Sequence, residues 1–433
     1  MARLDLGNAR AAVINFLFAR KTGGRFVLRF DDADRQRSSE DFARAIEHGL
    51  AWLGLGWDLF ARQSERLALY AGAEEKLKAA GRLYPCFETS EELGRQRKRA
   101  EARGQPSIYD RAALALPPAE VARRRAAGQH PYWRFKLEHA PIVWDDLIRG
   151  RVEFHGAHLS DPVLVQADAT PLSVFSSVVD DVELEISHVI RDEDHVTNTA
   201  VQIQIFEALG YTPPEFAHFP LIVDTRGEAP SKRLDRLSLE RLRDDGIEPM
   251  TVNSLLAKLG TSDAVAPRLD LAELAADFDL ATLGRAPPHF DPDELPRLNA
   301  KLLHLTPYAA VVHRLPEGAG QEFWEAVRPN LERFAEVETW WRVCRGPLVP
   351  ISAPDDADFL AKAAEALPPE PLQPASWDRW VDALQSSTGR KGKALSLPLR
   401  KALTGRENGP ELRNLLPLIG RDRAVRRLKG RTA

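Results

Sequence analysis

Residues 4–35 read LDLGNARAAVINFLFARKTGGRFVLRFDDADR. From Asn8 the chain is largely apolar up to a Gly23-Gly24 stop, which predicts a buried helix over 8–23. Phe26-Val27-Leu28-Arg29-Phe30 then reads as an apolar strand, closed by the acids Asp31, Asp32 and Asp34. A helix feeding such a strand points to an α/β sheet. The order is unusual, because a βαβ unit needs a strand ahead of its helix. Met1 to Leu6 do not read as a complete buried strand, so either the sheet begins elsewhere or its first strand is missing.

Outward from this stretch the pattern stays mixed up to about residue 240. A helix is expected from about Ser39 to Leu53, with Ser38 or Ser39 as N-cap and Gly54-Leu55-Gly56 as its stop. Another spans about Ser64 to Ala80. Cys86 to about Leu159 is polar, with a basic helical stretch near 91–103 and strand-like Tyr132–Leu137 and Ile142–Trp144, and reads as an inserted domain. Strands return at Pro162–Gln166, Ser173–Val179, Ser187–Ile190 and Leu221–Val223, with a helix over about Thr197–Leu209. Beyond about 240 only helical periods remain, cut by proline-rich breaks at 287–288, 368–374 and 410. The layout is an interrupted α/β domain followed by an all-helical half.

Composition narrows the class. The 433 residues suggest two to four domains, and 44% apolar with 28% charged residues is ordinary for a soluble globular protein. Two cysteines, Cys86 and Cys344, exclude a disulfide framework and a four-cysteine zinc site. Arg3 and Arg10 ahead of Ala11–Ala19 faintly resemble a signal peptide, but Asn15 interrupts the run and no small-residue cleavage site follows. No apolar run approaches 18 residues, so no membrane span is expected and the cytoplasm is the expected location. The net charge of −4 hides an asymmetry: residues 389–433 hold 13 Lys/Arg and 3 Asp/Glu, on an otherwise acidic body. A basic end on an acidic chain suggests a polyanionic partner, although a charge run alone is more often a solvated face.

Four groups carry candidate chemistry. Gly7-Asn8 at a helix start offers free N–H groups to an anion, while Asp5 opposes phosphate there. Asp31, Asp32 and Asp34 lie at a strand's C-terminal end, where open sheets bind ligands. Arg191-Asp192-Glu193-Asp194-His195 ends a second strand, and Arg191 can grip a carboxylate. No second histidine stands at ligand spacing near His195, so a helix-capping cluster is preferred to a metal site. Ser231-Lys232-Arg233 suits a polyphosphate whose charge shifts during reaction.

The ordered set is more specific than any member. It includes Leu28-Arg29-Phe30-Asp31-Asp32-Ala33-Asp34-Arg35, Trp52-Leu53-Gly54-Leu55-Gly56-Trp57-Asp58 and Asp145-Asp146-Leu147-Ile148-Arg149-Gly150. Val178-Val179-Asp180-Asp181, His188 to His195, Ser231-Lys232-Arg233 and Pro398 to Gly405 follow in order. In this order the chain resembles bacterial glutamyl-tRNA synthetases, class I aminoacyl-tRNA synthetases, over essentially its whole length. The resemblance implies a Rossmann-like catalytic domain with an inserted acceptor-binding domain, followed by an all-α anticodon-binding half. On that template 1–85 and 161–240 are the two parts of the catalytic domain, the first lacking its opening strand. Residues 86–160 are the insertion, 241–305 a helical stem-contact domain and 306–433 the anticodon-binding domain.

The implied substrates are L-glutamate, ATP with Mg²⁺, and tRNA(Glu), handled by a monomer. The HIGH-type motif falls on Asp5-Leu6-Gly7-Asn8, of which Gly7 and Asn8, with Glu193 and Lys232, would contact ATP. The KMSKS-type loop falls on 229–233, making Ser231, Lys232 and Arg233 the catalytic group. Asp31, Arg191 and Ser173 would contact glutamate, and Lys391, Lys393, Arg400 and Arg406 would contact tRNA phosphates. No metal ligands are implied. The departures cluster on substrate contacts. The strand and loop that precede the first motif in the family are absent, Asp5 replaces a histidine, Ser173 a tyrosine and Asp192 a small residue. Ala229 and Pro230 also depart in the second motif. Two readings follow: a glutamate-tRNA ligase, or a paralogue that keeps tRNA binding with impaired or lost aminoacylation.

Overall fold

The computed structural model describes residues 4–34, 38–104, 106–228 and 238–433. The chain divides into two compact units, one of Met1–Leu242, Asn253–Val265 and Asp270–Asp291, the other of Arg243–Val252, Ala266–Leu269 and Pro292–Ala433.

The first unit opens with α1 (Leu6–Thr22). It begins two residues earlier than the sequence suggested, because extended Asp5 accepts the Asn8 amide at 2.8 Å and caps the helix. Gly23 ends it at φ 70°, a left-handed conformation that favours glycine. β1 (Val27–Phe30) follows, then α2 (Glu40–Leu53), capped by Ser39 as expected. β2 (Leu59–Arg62) pairs in parallel with β1, from Val27↔Leu59 to Phe30↔Arg62. Next come α3 (Leu67–Ala79), β3 (Leu83–Cys86), α4 (Ser90–Ala102), α5 (Pro118–Ala126), β4 (Tyr132–Phe135), β5 (Pro141–Asp146), β6 (Gly150–His155) and β7 (Val163–Val165). α6 (Ser173–Glu183), β8 (His188–Asp192), α7 (Val196–Leu209) and β9 (Glu215–Phe219) complete the α/β part. β3-β4-β7 form an antiparallel sheet. The order β6-β5-β9-β8 forms a mixed sheet, in which β5 and β6 are antiparallel and β9 runs parallel to both β5 and β8.

Two sequence expectations are corrected here. Ser173–Val179 is helical, the start of α6, with Phe175, Ser176, Val178 and Val179 buried at helical spacing. A short β-branched run reads equally as buried strand or buried helix, and packing against α3 and α7 settles it. In place of a strand over Leu221–Val223, β9 lies earlier, and Val223–Asp224 only bridges His289–Phe290.

Among the described residues β1 pairs only with β2, and β8 only with β9. Both line one groove of about 780 Å³, together with Ala11, Asn15 and Phe18 of α1 and Leu184 and Ile186 after α6. Across it, Asn15 Nδ2 donates to the Ile190 carbonyl of β8 at 2.9 Å.

The second unit is helical from Glu294–Leu305 to Arg421–Leu428. Trp324 and Trp380 are fully buried, and each donates its indole N–H to a carbonyl, of Thr306 and Ala363, at 2.9 Å. Buried Arg427 donates to the carbonyls of Val343, Leu403, Gly346 and Ala433. Part of the basic C-terminal run is therefore internal scaffolding.

Candidate active site

The C-terminal ends of β1 and β8 and the N-terminus of α1 carry Asp31, Arg191, Glu193, Gly7 and Asn8, while Ser173 opens α6. On β1, Arg29 is the organiser, a role the sequence did not signal. It donates to Asp31 at 2.9 Å, Asp181 at 2.8 Å and Ser177 Oγ at 3.0 Å. Burial works against its charge, but Asp31, Asp181 and Asp180 outweigh it and raise its pKa. Asp31 remains exposed (44% of its side chain), so it can meet a ligand's cationic group. Asp32 cannot: it is buried and accepts from the amide and hydroxyl of Ser64, both at 2.9 Å. Buried Asp180 accepts from Gln63, Arg66 and Tyr70, tying the lead-in to α3 and α3 itself to α6.

At the end of β8, Arg191 donates Nη2 to Thr199 Oγ1 and to Gln202 Oε1, each at 2.7 Å. Nη1 has no hydrogen-bond partner among the described residues. Burial lowers the Arg191 pKa to about 10 against the pull of Asp181 and Asp194, which still leaves a cation at neutral pH. Asp181 thus couples electrostatically to both Arg29 and Arg191, and so joins the ends of β1 and β8. Gln202 also donates to the Val174 carbonyl at 3.3 Å, next to Ser173, which is the exposed first residue of α6.

The start of α1 is crowded with acid. Asp5 occupies the Asn8 amide. The Asp192 carboxyl is pushed up to about 6, first by burial and then by Asp194, Asp5 and Glu193, with Arg10 opposing. Glu193 accepts from Arg149 at 2.7 Å and from the Leu221 amide. Among the described residues a Cβ at Gly7 would meet only Asp5 Oδ1, at 3.5 Å, so none of them demands glycine there. Ser231, Lys232 and Arg233 lie outside the described residues.

In the second unit, Lys391 and Lys393 are exposed at the start of helix Lys393–Thr404, and Arg406 is exposed with its guanidinium 5.4 Å from the Trp340 ring centre. Arg400 differs: it donates to the Pro410 carbonyl at 2.9 Å and burial lowers its pKa. Among the described residues no group of three or more His, Cys, Asp or Glu is placed to hold a metal ion.

Residues 2–296 match the family of class I tRNA synthetases (E and Q), catalytic domain, and residues 347–431 match an anticodon binding domain. The chain belongs to the class I tRNA synthetases of this E and Q family. Its curated relatives include the glutamate–tRNA ligase of Azospirillum brasilense, 54% identical over 99% of this chain and 97% of the relative. Glutamate–tRNA ligase 2 of Methylorubrum populi is 55% identical over 99% and 96%. A crystal structure of a glutamate tRNA ligase from Elizabethkingia meningosepticum, in complex with its amino acid, superposes with a TM-score of 0.84 at 25% identity, covering 99% of this chain and 96% of that one. Within the family, the chain groups with the bacterial glutamate–tRNA ligases.

Proposed function

We propose that the protein joins glutamate to tRNA(Glu) in two steps. The glutamate α-carboxylate attacks the α-phosphate of ATP, forming glutamyl-adenylate and releasing pyrophosphate. The terminal ribose hydroxyl of tRNA then attacks the adenylate carbonyl, and AMP leaves. Neither step needs a covalent enzyme intermediate, so catalysis is positioning and charge stabilisation. Mg²⁺ arrives with ATP and screens its phosphates.

Arg191 pairs with a glutamate carboxylate and Asp31 with the ammonium, with Ser173 beside them. Gly7, Asn8 and Glu193 face ATP, and Lys232, with Ser231 and Arg233, neutralises the phosphates as charge develops. Lys391, Lys393, Arg400 and Arg406 serve the anticodon arm through phosphate contacts or by shaping that surface. The domain limits are 1–85 with 161–240 for catalysis, 86–160 for the acceptor end, 241–305 for the stem and 306–433 for the anticodon. The enzyme works in the cytoplasm as a monomer. No helix among the described residues is long and apolar enough to cross a membrane.

The observation that carries this reading is Arg191, anchored on Thr199 and Gln202 and coupled through Asp181 to Arg29 and Asp31. The test is ATP–pyrophosphate exchange with tRNA present. Exchange that requires glutamate supports the reading, and its absence overturns it. A second reading, tRNA binding without aminoacylation, is favoured by Asp5 and Asp192, which bring negative charge to the helix start where phosphate would sit. Salt-sensitive tRNA binding with no exchange selects it.

A further inference from the structure

Arg191 is held on a second side by His218, which no sequence motif singled out, and through it by Asp146. β8 and β9 pair so that Arg191 stands opposite His218. His218 is completely buried, and its Nδ1 lies 2.5 Å from Asp146 Oδ2 at the end of β5. The other oxygen of Asp146 accepts the amides of Ile148 at 3.1 Å, Arg149 at 2.9 Å and His218 at 3.1 Å. Burial works against the Asp146 charge, but the His218 contact and these amides outweigh it and lower its pKa.

A carboxylate so placed requires the proton of the imidazole to sit on Nδ1. Nε2 is then a lone pair, and it meets two donors: the Thr199 hydroxyl at 2.8 Å and Arg191 Nε at 3.4 Å. Thr199 in turn accepts from Arg191 Nη2. A chain of alternating donors and acceptors therefore runs from Asp146 through His218 to two nitrogens of the Arg191 guanidinium. Such chains polarise in one direction, and they fix the orientation of the terminal group.

We propose that Asp146 and His218 are positioning residues for amino-acid selection. They lock the Nε edge of Arg191 so that its guanidinium stands at one depth in the site. This deepens the reading in which Arg191 grips the glutamate carboxylate, and it rests on that reading. A guanidinium with a locked edge cannot follow a shorter side chain, so aspartate, one methylene shorter, is rejected.

The decisive variant is Asp146→Asn. An amide can still accept the three backbone N–H groups, but its NH₂ then faces Nδ1 of His218. The imidazole must move its proton to Nε2, where it opposes the N–H of Arg191 Nε. A carboxylate-to-amide change of this kind inverts a tautomer without removing volume. The KM for glutamate should rise by about tenfold or more, with the KM for ATP and kcat within about twofold. The preference for glutamate over aspartate should fall by a similar factor. Thr199→Val should behave alike, and Thr199→Ser should restore the glutamate KM.

Nitrogen-15 NMR of the His218 ring in the full chain reads the same relay without needing activity. Nδ1–H in the wild type and Nε2–H in Asp146→Asn support the proposal, and Nε2–H in the wild type overturns it. With an active wild type, an unchanged glutamate KM in both Asp146→Asn and Thr199→Val also overturns it. Loss of ATP and glutamate affinity together in these folded variants would mark a merely structural role and overturn it too. A wild type with no exchange but the Nδ1–H tautomer strikes the functional reading and leaves the relay standing.

Discussion

Replacing Asp192 with asparagine should stabilise the catalytic unit, by an amount that grows as pH rises from about 3 and is complete above pH 6. The carboxyl stands at about 6 instead of 3.8, first because it is buried and then because Asp194, Asp5 and Glu193 surround it, with Arg10 compensating only in part. Below about pH 3 the acid is protonated in both folded and unfolded chains and costs nothing. Between about 3 and 6 the unfolded chain releases its proton first, so folding stability falls as pH rises. Above 6 the folded protein carries the full cost. A rise of about 2 units corresponds to about 3 kcal/mol, and solvent reaching the half-buried group brings this nearer 2 kcal/mol. Asparagine keeps the shape and carries no charge. Thermal melts of wild type and Asp192→Asn should coincide at pH 3 and separate by about 4–8 °C at pH 7.5. The pH dependence is the diagnostic part. An equal separation at both values, or a less stable variant at pH 7.5, would refute the electrostatic account. With one fewer anion near the helix start, ATP should also bind the variant more tightly in a direct titration at pH 7.5.

Arg191→Lys removes the forked contacts to Thr199 and Gln202; pyrophosphate exchange should show the glutamate KM raised at least about tenfold with the ATP KM little changed. Asp180→Ala strands Gln63, Arg66 and Tyr70 around a buried site, and should cost about 3–5 kcal/mol in denaturant unfolding followed at the catalytic unit. Arg427→Met leaves four carbonyls without their guanidinium, and the helical unit should melt earlier while glutamate affinity is retained. Lys391→Glu with Lys393→Glu should weaken tRNA binding and lower its salt dependence by about one power per lost phosphate contact, measured by filter binding across salt concentrations.

What the sequence disclosed depended on range. Local signals worked: the Gly23 stop, the Ser39 cap and the Gly54 stop all sit where glycine or a hydroxyl answers a helix end. β2 and β9 escaped notice because each is four or five residues long, with charged or histidine side chains among apolar ones. The 173–179 segment failed because β-branched residues bury well in a helix once α3 and α7 cover both sides. Asp31 and Arg191 stood out in the ordered motifs, as did Arg29, Asp181 and Asp146, but which of these residues meet was not legible. Arg29 reaches Asp181 across 152 positions, and His218 reaches Asp146 across 72. No local pattern encodes such partners. Charge counting misled in one respect: the basic C-terminal run includes Arg427, which faces carbonyls inside the unit.

α1 reaches the surroundings of both strand ends. Phe16 packs edge-on against Phe26 and Arg20 grips Asp58 near β1, while Asn15 holds the Ile190 carbonyl of β8. Asp181 adds an electrostatic tie, to Arg29 at one end and to Arg191 at the other. A change in how α1 seats is therefore felt at Asp31 and at Arg191 together.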